Sequence, residues 1–352
     1  MLGWAGGARR VRVVGRWVVA VVVYGAGGIG CYVGGRLVAS GMEVGFVGRP
    51  RLAGEVAEYG LTLTDYLGTE WRVDDVRYAT TPDAAASAEL VLVTVKSAAT
   101  ASAAEELAGV LRPGVVVVSF QNGVRNAEVL RERLPEQVVI TGMVPFNVLN
   151  RGGGVFHQGT QGGLDVEDHP ALDEYEDAFR RAGLPLTRHA DMVAVQWAKL
   201  LLNLNNPINA LSDLPLRDEL SQRAYRRCVA AAQAEAIDVL AAAGIEPAQL
   251  MAVPARRLPT VLRLPDFLFR RLASKMLAID PHARSSLWED LRARRRTEID
   301  YLNGEIVQLA ATVGREAPVN AKLVELIRAA ESGSRRPWTG DALYAELTGR
   351  RA

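Results

Sequence analysis

In the run DMVAVQWAKLLLNLNNP, residues Gln196, Lys199, Asn203 and Asn206 recur at i, i+3, i+7 and i+10, the spacing of one helical face. The rest of the run is mostly Val, Trp, Ala and Leu. One cation and three amides on such a helix either face water or line a cleft. Asparagine is a poor residue for a helix interior, and Pro207 would leave the Asn203 carbonyl without the N–H that continues the ladder. Both features favour the cleft. A lysine there suits reduction of a carbonyl. As hydride adds to carbon, charge gathers on oxygen, and an ammonium can stabilise and protonate it.

A second constellation lies at VVVYGAGGIG. Gly25, Gly27 and Gly30 match G-x-G-x-x-G directly after an apolar run and at the start of a helical pattern. The first glycine permits a tight turn, the second lets backbone approach a pyrophosphate, and the third lets the helix pack on its strand. Residues Gly25, Ala26, Gly27, Gly28, Ile29 and Gly30 would thus cradle a dinucleotide, with the N–H groups of the helix start facing the phosphates. The next apolar run ends VGFVGRPR, with Arg49 where a carboxylate would hold a ribose 2′-hydroxyl. Arg49, with Arg51 nearby, suits a 2′-phosphate through forked, charge-assisted hydrogen bonds, so the expected cofactor is NADPH/NADP+. The alternative is a solvated loop arginine. Lys96 follows LVLVTV, and Asn122 follows VVVVSF in QNG. Both stand at strand ends, where open α/β sheets bind ligands, or else serve as plain turn residues.

The stretch SSLWEDLRARRRTEIDYLNGE supplies further candidates. Ser286 and Glu289 form S-x-x-E, a capping box, yet a hydroxyl at a helix start also suits a substrate carboxylate. Glu298 and Asp300 stand beside Arg294–Arg296, where surface ion pairs are the simpler account.

Valine-rich runs at Val18–Tyr24, Glu43–Val47, Leu90–Val95, Val115–Ser119 and Val138–Met143 alternate with helical patterns, as in a doubly wound parallel sheet. Gly152–Val166 reads as an antiparallel edge. Beyond Asp191 the signal is helical: Met192–Asn206, Asp218–Ala243, Ser286–Val313 and Ala321–Ser332, the last with Asn320 as N-cap after Pro318. The fold class is α/β, an N-terminal Rossmann-type doubly wound sheet followed by an all-α C-terminal domain. Expected boundaries are a mobile or mis-started extension at 1–16, an NADP-binding domain at 17–188, a helical substrate and catalytic domain at 189–340 and a tail at 341–352, with a cleft between the two domains.

Bulk properties exclude several classes. Lys plus Arg number 41 against 40 Asp plus Glu, a net charge of +1, so no global field argues for nucleic acid or a membrane surface. No run reaches the ~18 apolar residues of a membrane span. Two cysteines, Cys31 and Cys228, provide neither a disulfide framework nor metal-ligand spacing and fit a reducing cytoplasm. No metal is expected, and a homodimer is compatible with the sequence.

GAGGIG, VTVK, QNG, KLLLNLNNPINAL and SSLWEDLRARRRTEIDYLNGE together resemble the ketopantoate reductase (2-dehydropantoate 2-reductase) family from about Val18 to Ser332. The resemblance implies NADPH-dependent reduction of a 2-oxo acid to a 2-hydroxy acid, ketopantoate to pantoate on the route to coenzyme A. It implies Lys199 as general acid and Glu298 as the carboxylate that orients substrate and lysine. Asn203, Asn206 and Ser286 become substrate contacts, Arg49 and Lys96 contacts to the 2′-phosphate, and Asn122 the amide beside nicotinamide and substrate. Departures are SAAT after Lys96, Ala283 where some members carry asparagine, Trp288 near the helix start, and a spacing one residue short before Asn206-Pro207. They leave the reaction type intact and bear on which 2-oxo acid is used. A paralogue reducing another branched 2-oxo acid in secondary metabolism is one alternative, and a non-catalytic NADPH sensor is another.

Overall fold

The structure is a computed structural model and describes residues 20–272 and 283–349. The expected extension at 1–16, with Val18 and Val19, lies outside the described residues. The chain divides into two compact units, one of residues up to Gln121 with Arg125–Ala190, the other of Asn122–Val124 with residues from Asp191 onward.

The first unit alternates strand and helix through β1 (Val21–Tyr24), α1 (Gly28–Ala39), β2 (Val44–Val47) and α2 (Pro50–Tyr59). A meander follows, with β3 (Leu61–Asp65), β4 (Glu70–Val73) and β5 (Arg77–Ala79). Alternation then resumes with β6 (Leu90–Val93), α3 (Thr100–Ala108), β7 (Val116–Ser119), α4 (Asn126–Arg133) and β8 (Val138–Met143). The unit closes with β9 (Val148–Gly152), β10 (Val155–Gln158), β11 (Leu164–Glu167), α5 (Glu176–Arg181) and β12 (Leu186–His189).

Eight of these strands form one sheet in the order β12-β11-β8-β7-β6-β1-β2-β5, parallel except where β11 meets β8. Strands β1, β2, β6 and β7 are buried at every residue, which explains their near-continuous valine and leucine. Alternate residues feed two cores: Val21, Val23, Phe46 and Leu90 on one face, Val22, Tyr24, Val91 and Val117 on the other. Tyr24 pairs with Val47 and Val93, and Val93 with Ser119, so the turns after β1, β2, β6 and β7 leave one edge in register.

A second sheet, β4-β3-β10-β9, was not expected. Its signal is present in LTLTD, where Leu61 and Leu63 are buried while Thr62 and Thr64 are half-buried. The sheet is tied to α1, where the buried Tyr32 hydroxyl donates to Gln158 Oε1 at 2.8 Å and accepts from Arg36 at 2.8 Å. The Arg36 guanidinium lies 3.5 Å from the Trp71 ring centre. The antiparallel edge expected at Gly152–Val166 is divided between the sheets. β9 and β10 pair antiparallel in the second, and β11 lies inside the main sheet, covered by β12.

The second unit is helical: α6 (Met192–Asn203), α7 (Asn206–Ser212), α8 (Leu216–Ser221), α9 (Arg223–Ala242), α10 (Leu258–Leu262) and α11 (Asp266–Leu272). It continues with α12 (Ser286–Arg292), α13 (Asn303–Thr312), α14 (Pro318–Glu331) and α15 (Gly340–Thr348). No helix among the described residues is long and apolar enough to cross a membrane.

Several expected helices are corrected. Met192–Asn206 ends at Asn203, and Asn205 N–H turns back to Leu202 O at 3.3 Å. The Leu201 carbonyl receives the Gln233 side chain from α9 at 3.0 Å. Asp218–Ala243 breaks at Gln222, whose backbone is extended. Ser286–Val313 is two helices, because Arg294 adopts a left-handed φ of 52° and Thr297 is held through its N–H and hydroxyl by Glu331. The last helix starts at Pro318 rather than after an Asn320 cap. Glu235 of α9 accepts from the N–H groups of Val319 and Asn320, both at 2.9 Å, and caps it from a distance in sequence. Residues 341–348, expected as a tail, belong to α15, which Thr339 caps and which buries Leu343 and Leu347 in the helical core.

Candidate active site

The turn after β1 is built by its glycines. Gly25 has a φ of +100°, and a Cβ there would lie 2.5 Å from the Val95 backbone nitrogen, so both conformation and space demand glycine. A Cβ on Gly30 would lie 2.5 Å from Thr94 Oγ1, the hydroxyl that donates to Gly25 O at 2.9 Å. Gly27 differs, because its nearest neighbour would be Gly25 O at 3.8 Å. Room is therefore kept beside Gly27, the N-cap of α1, where no side chain caps the helix and no acid sits in the first turn. The unpaired first-turn N–H groups and the helix dipole favour an anion in that space. Gly28 lies beneath the Val148 carbonyl, Ala26 is buried and Ile29 half-buried. This open cradle fits a pyrophosphate.

Arg49 is the exposed N-cap of α2, directly beyond β2. Arg51 is committed to Glu55 at 3.3 Å, whereas Arg49 makes no ion pair among the described residues. Lys96 is exposed and begins the 3₁₀ turn Ser97–Ala99. The Gln121 amide beneath donates to Val95 O at 3.0 Å and Thr100 Oγ1 at 2.7 Å; Thr100 then donates to Asn126, and Asn126 to Ser97. This buried network locks the Lys96 turn to the residue before Asn122. Gln121, the glutamine of QNG, is the residue in the sequence that carries this link.

The helical unit carries the other candidates. Lys199 is half-buried on α6 between buried Trp197, Ala198 and Leu200. Gln196 is buried, while Asn203 and Asn206, half-buried, end α6 and begin α7. The polar stripe thus spans a kinked helix pair. Asn122, grouped with this unit, donates from Nδ2 to Glu298 Oε2 at 3.2 Å. Glu298 is only 9% exposed, whereas Asp300 pairs with Arg328 at 2.6 Å and Arg295 with Asp290 at 3.1 Å. The surface pairing expected for these acids describes Asp300, while Glu298 is nearly buried and accepts from the Asn122 amide.

At α12 the cap is Ser285, whose Oγ accepts from Trp288 N–H at 3.2 Å. The expected Ser286–Glu289 box is replaced by this arrangement, because Ser286 is the first helical residue, and its side chain is exposed. Ser285 also donates to Asn206 O at 3.0 Å, joining the start of α12 to the start of α7. The Trp288 indole donates to Asp213 Oδ1 and packs against the guanidinium of Arg284, 4.2 Å from the ring centre. Lys199, Glu298, Asn203, Asn206 and Ser286 all lie in the helical unit, and residues of these types are able to bind a carboxylate and to protonate a carbonyl oxygen.

Two family models match. Residues 21–171 fit the one described as Ketopantoate reductase PanE/ApbA, and residues 191–331 its C-terminal counterpart. The 2-dehydropantoate 2-reductase of Halobacterium salinarum is 30% identical over 318 residues, 88% of this chain and 98% of its own. A crystal structure of a PanE/ApbA family ketopantoate reductase from Ralstonia eutropha superposes with a TM-score of 0.76 at 30% identity, covering 90% of this chain and 99% of that one. D-mandelate dehydrogenase with NADH and anilino(oxo)acetate shares the fold at 18% identity and a TM-score of 0.73, with coverage of 89% and 98%.

Proposed function

From the premise that this chain belongs to the ketopantoate reductase family, a family of oxidoreductases, we propose that it reduces 2-dehydropantoate to pantoate with NADPH. The Gly25–Gly30 cradle receives the pyrophosphate, and Arg49, which makes no ion pair among the described residues, receives the 2′-phosphate together with Lys96. When bound, the reduced nicotinamide supplies the hydride. The protein's own residues do the remainder. Lys199 Nζ donates the proton to the carbonyl oxygen, while Asn203, Asn206 and Ser286 hold the carboxylate and hydroxyl groups of the substrate. Glu298 keeps the Asn122 amide in one orientation and aligns substrate and lysine.

The inward hydrogen bond between Glu298 and Asn122 supports this function most directly. A dinucleotide sensor has no use for a nearly buried carboxylate that accepts from the Asn122 amide. Loss of NADPH absorbance with 2-dehydropantoate and a panel of other branched 2-oxo acids tests the proposal. The highest kcat/KM is expected for 2-dehydropantoate; a tenfold preference for another acid would reassign the substrate, and no oxidation with any would remove the enzyme reading.

A further inference from the structure

One acid of the helical unit has no part in the chemistry above. Glu219, on α8, is fully buried, and its Oε2 accepts from Asn209 Nδ2 at 2.9 Å and Asn205 Nδ2 at 3.3 Å. Asn209 is equally buried; its Nδ2 also donates to Leu214 O at 3.0 Å, and its Oδ1 accepts from Ser285 N–H at 2.9 Å. Ser285 donates onward to Asn206 O and accepts from Trp288 N–H. A continuous chain of hydrogen bonds therefore runs from the acid to the starts of α7 and α12.

The chain has a polarity. An amide has one donor end and one acceptor end, so Asn209 can offer Oδ1 to Ser285 only while its NH₂ end meets acceptors. Glu219 and Leu214 O are those acceptors; with the carboxyl removed, a half-turn of the amide no longer forfeits that bond. Glu219 Oε1 and Asn205 Oδ1 are further buried acceptors with no donor among the described residues. A carboxyl proton is a donor this nest can supply for itself. Burial, opposed only by the two amides, pushes Glu219 up to about 8, so the group is a neutral acid at neutral pH.

We propose that Glu219 is a positioning residue for substrate binding: through Asn205 and Asn209 it fixes the α6–α7 kink and the start of α12, the segments that carry Asn203, Asn206 and Ser286. The inference rests on the function proposed above and names the device that sets its substrate half.

Glu219→Gln, like the protonated carboxyl, offers both an acceptor and a donor, whereas Glu219→Met fills similar volume with neither. For Glu219→Met, KM for 2-dehydropantoate should rise about tenfold or more while the NADPH Kd stays within about twofold. Its Ser285 and Trp288 amides should also exchange hydrogen faster. Glu219→Gln should stay within about threefold of wild type on every readout. A folded Glu219→Met with wild-type KM and exchange overturns the proposal, as does equal damage in both variants. If Glu219→Met does not fold, Ser285→Ala decides through the same KM and Kd measurements, and an unchanged KM overturns it. Should the wild type oxidise no NADPH with 2-dehydropantoate, the functional proposal fails, while amide exchange still decides whether Glu219 holds the start of α12.

Discussion

Glu219→Gln also separates the cost of a buried carboxyl from the hydrogen bonds it makes. Burial raises the Glu219 pKa from 4.5 to about 8 in the folded protein, while hydrogen bonds from Asn209 and Asn205 lower it by less. Between those values the native state holds a proton that the unfolded state has released. The carboxyl's contribution is complete below about pH 4.5, declines as pH rises toward 8 and is lost above it. The slope approaches about 1.4 kcal/mol per pH unit, several kcal/mol over the window. Nearby groups on α9 do not blur this slope, because Tyr225 is raised by burial and Cys228 is pushed up to about 12. Glutamine does not titrate, so the stability difference between wild type and Glu219→Gln should tilt with this slope. Urea unfolding at pH values of about 5, 6, 7 and 8, followed by fluorescence of Trp197, Trp288 and Trp338, measures it. Parallel pH profiles for the two proteins would refute the burial-driven shift.

Three other substitutions address the remaining parts. Arg49→Ala should weaken NADPH binding by about 10–100-fold, the worth of charge-assisted hydrogen bonds, and leave NADH binding unchanged; an equal loss for both would remove the 2′-phosphate assignment. Gly27→Ala should melt close to wild type, since the added Cβ meets nothing nearer than 3.8 Å, yet lose most NADPH affinity; a large fall in Tm with binding intact would contradict the open cradle. Ser285→Ala should cost about 1 kcal/mol of stability as the lost cap of α12, whereas Ser286→Ala should cost almost none and raise only KM. Denaturant melts of the pair showing the reverse order would return the cap to Ser286.

Local pattern reveals the parts of this fold that local physics decides. β1, β6 and β7 are readable because strands covered on both faces are mostly valine and leucine, and the glycine turn because its φ and close contacts exclude other residues. Helix ends are readable less often, since distant side chains decide them. Gln233 satisfies the carbonyl freed at the α6–α7 kink, Glu235 caps α14, and Glu331 holds Thr297 in the break before α13. None of these partners lies near its target in sequence. The same holds at the candidate site. The spacing of Lys199, Asn203 and Asn206 marks a polar face, but only the fold shows Glu298 beside Asn122, and Glu219 as the acid under Asn209 and Ser285. An isolated glutamate in LRDEL carries no sign that it is buried.

In the proposed reaction Lys199 protonates the carbonyl oxygen of a 2-oxo acid reduced by NADPH. Steady-state NADPH oxidation with 2-dehydropantoate, compared between wild type and Lys199→Ala with cofactor affinity measured alongside, tests it most directly. A fall in kcat of about 10²–10⁴-fold with the NADPH Kd unchanged is expected. Turnover within a few-fold of wild type would contradict it.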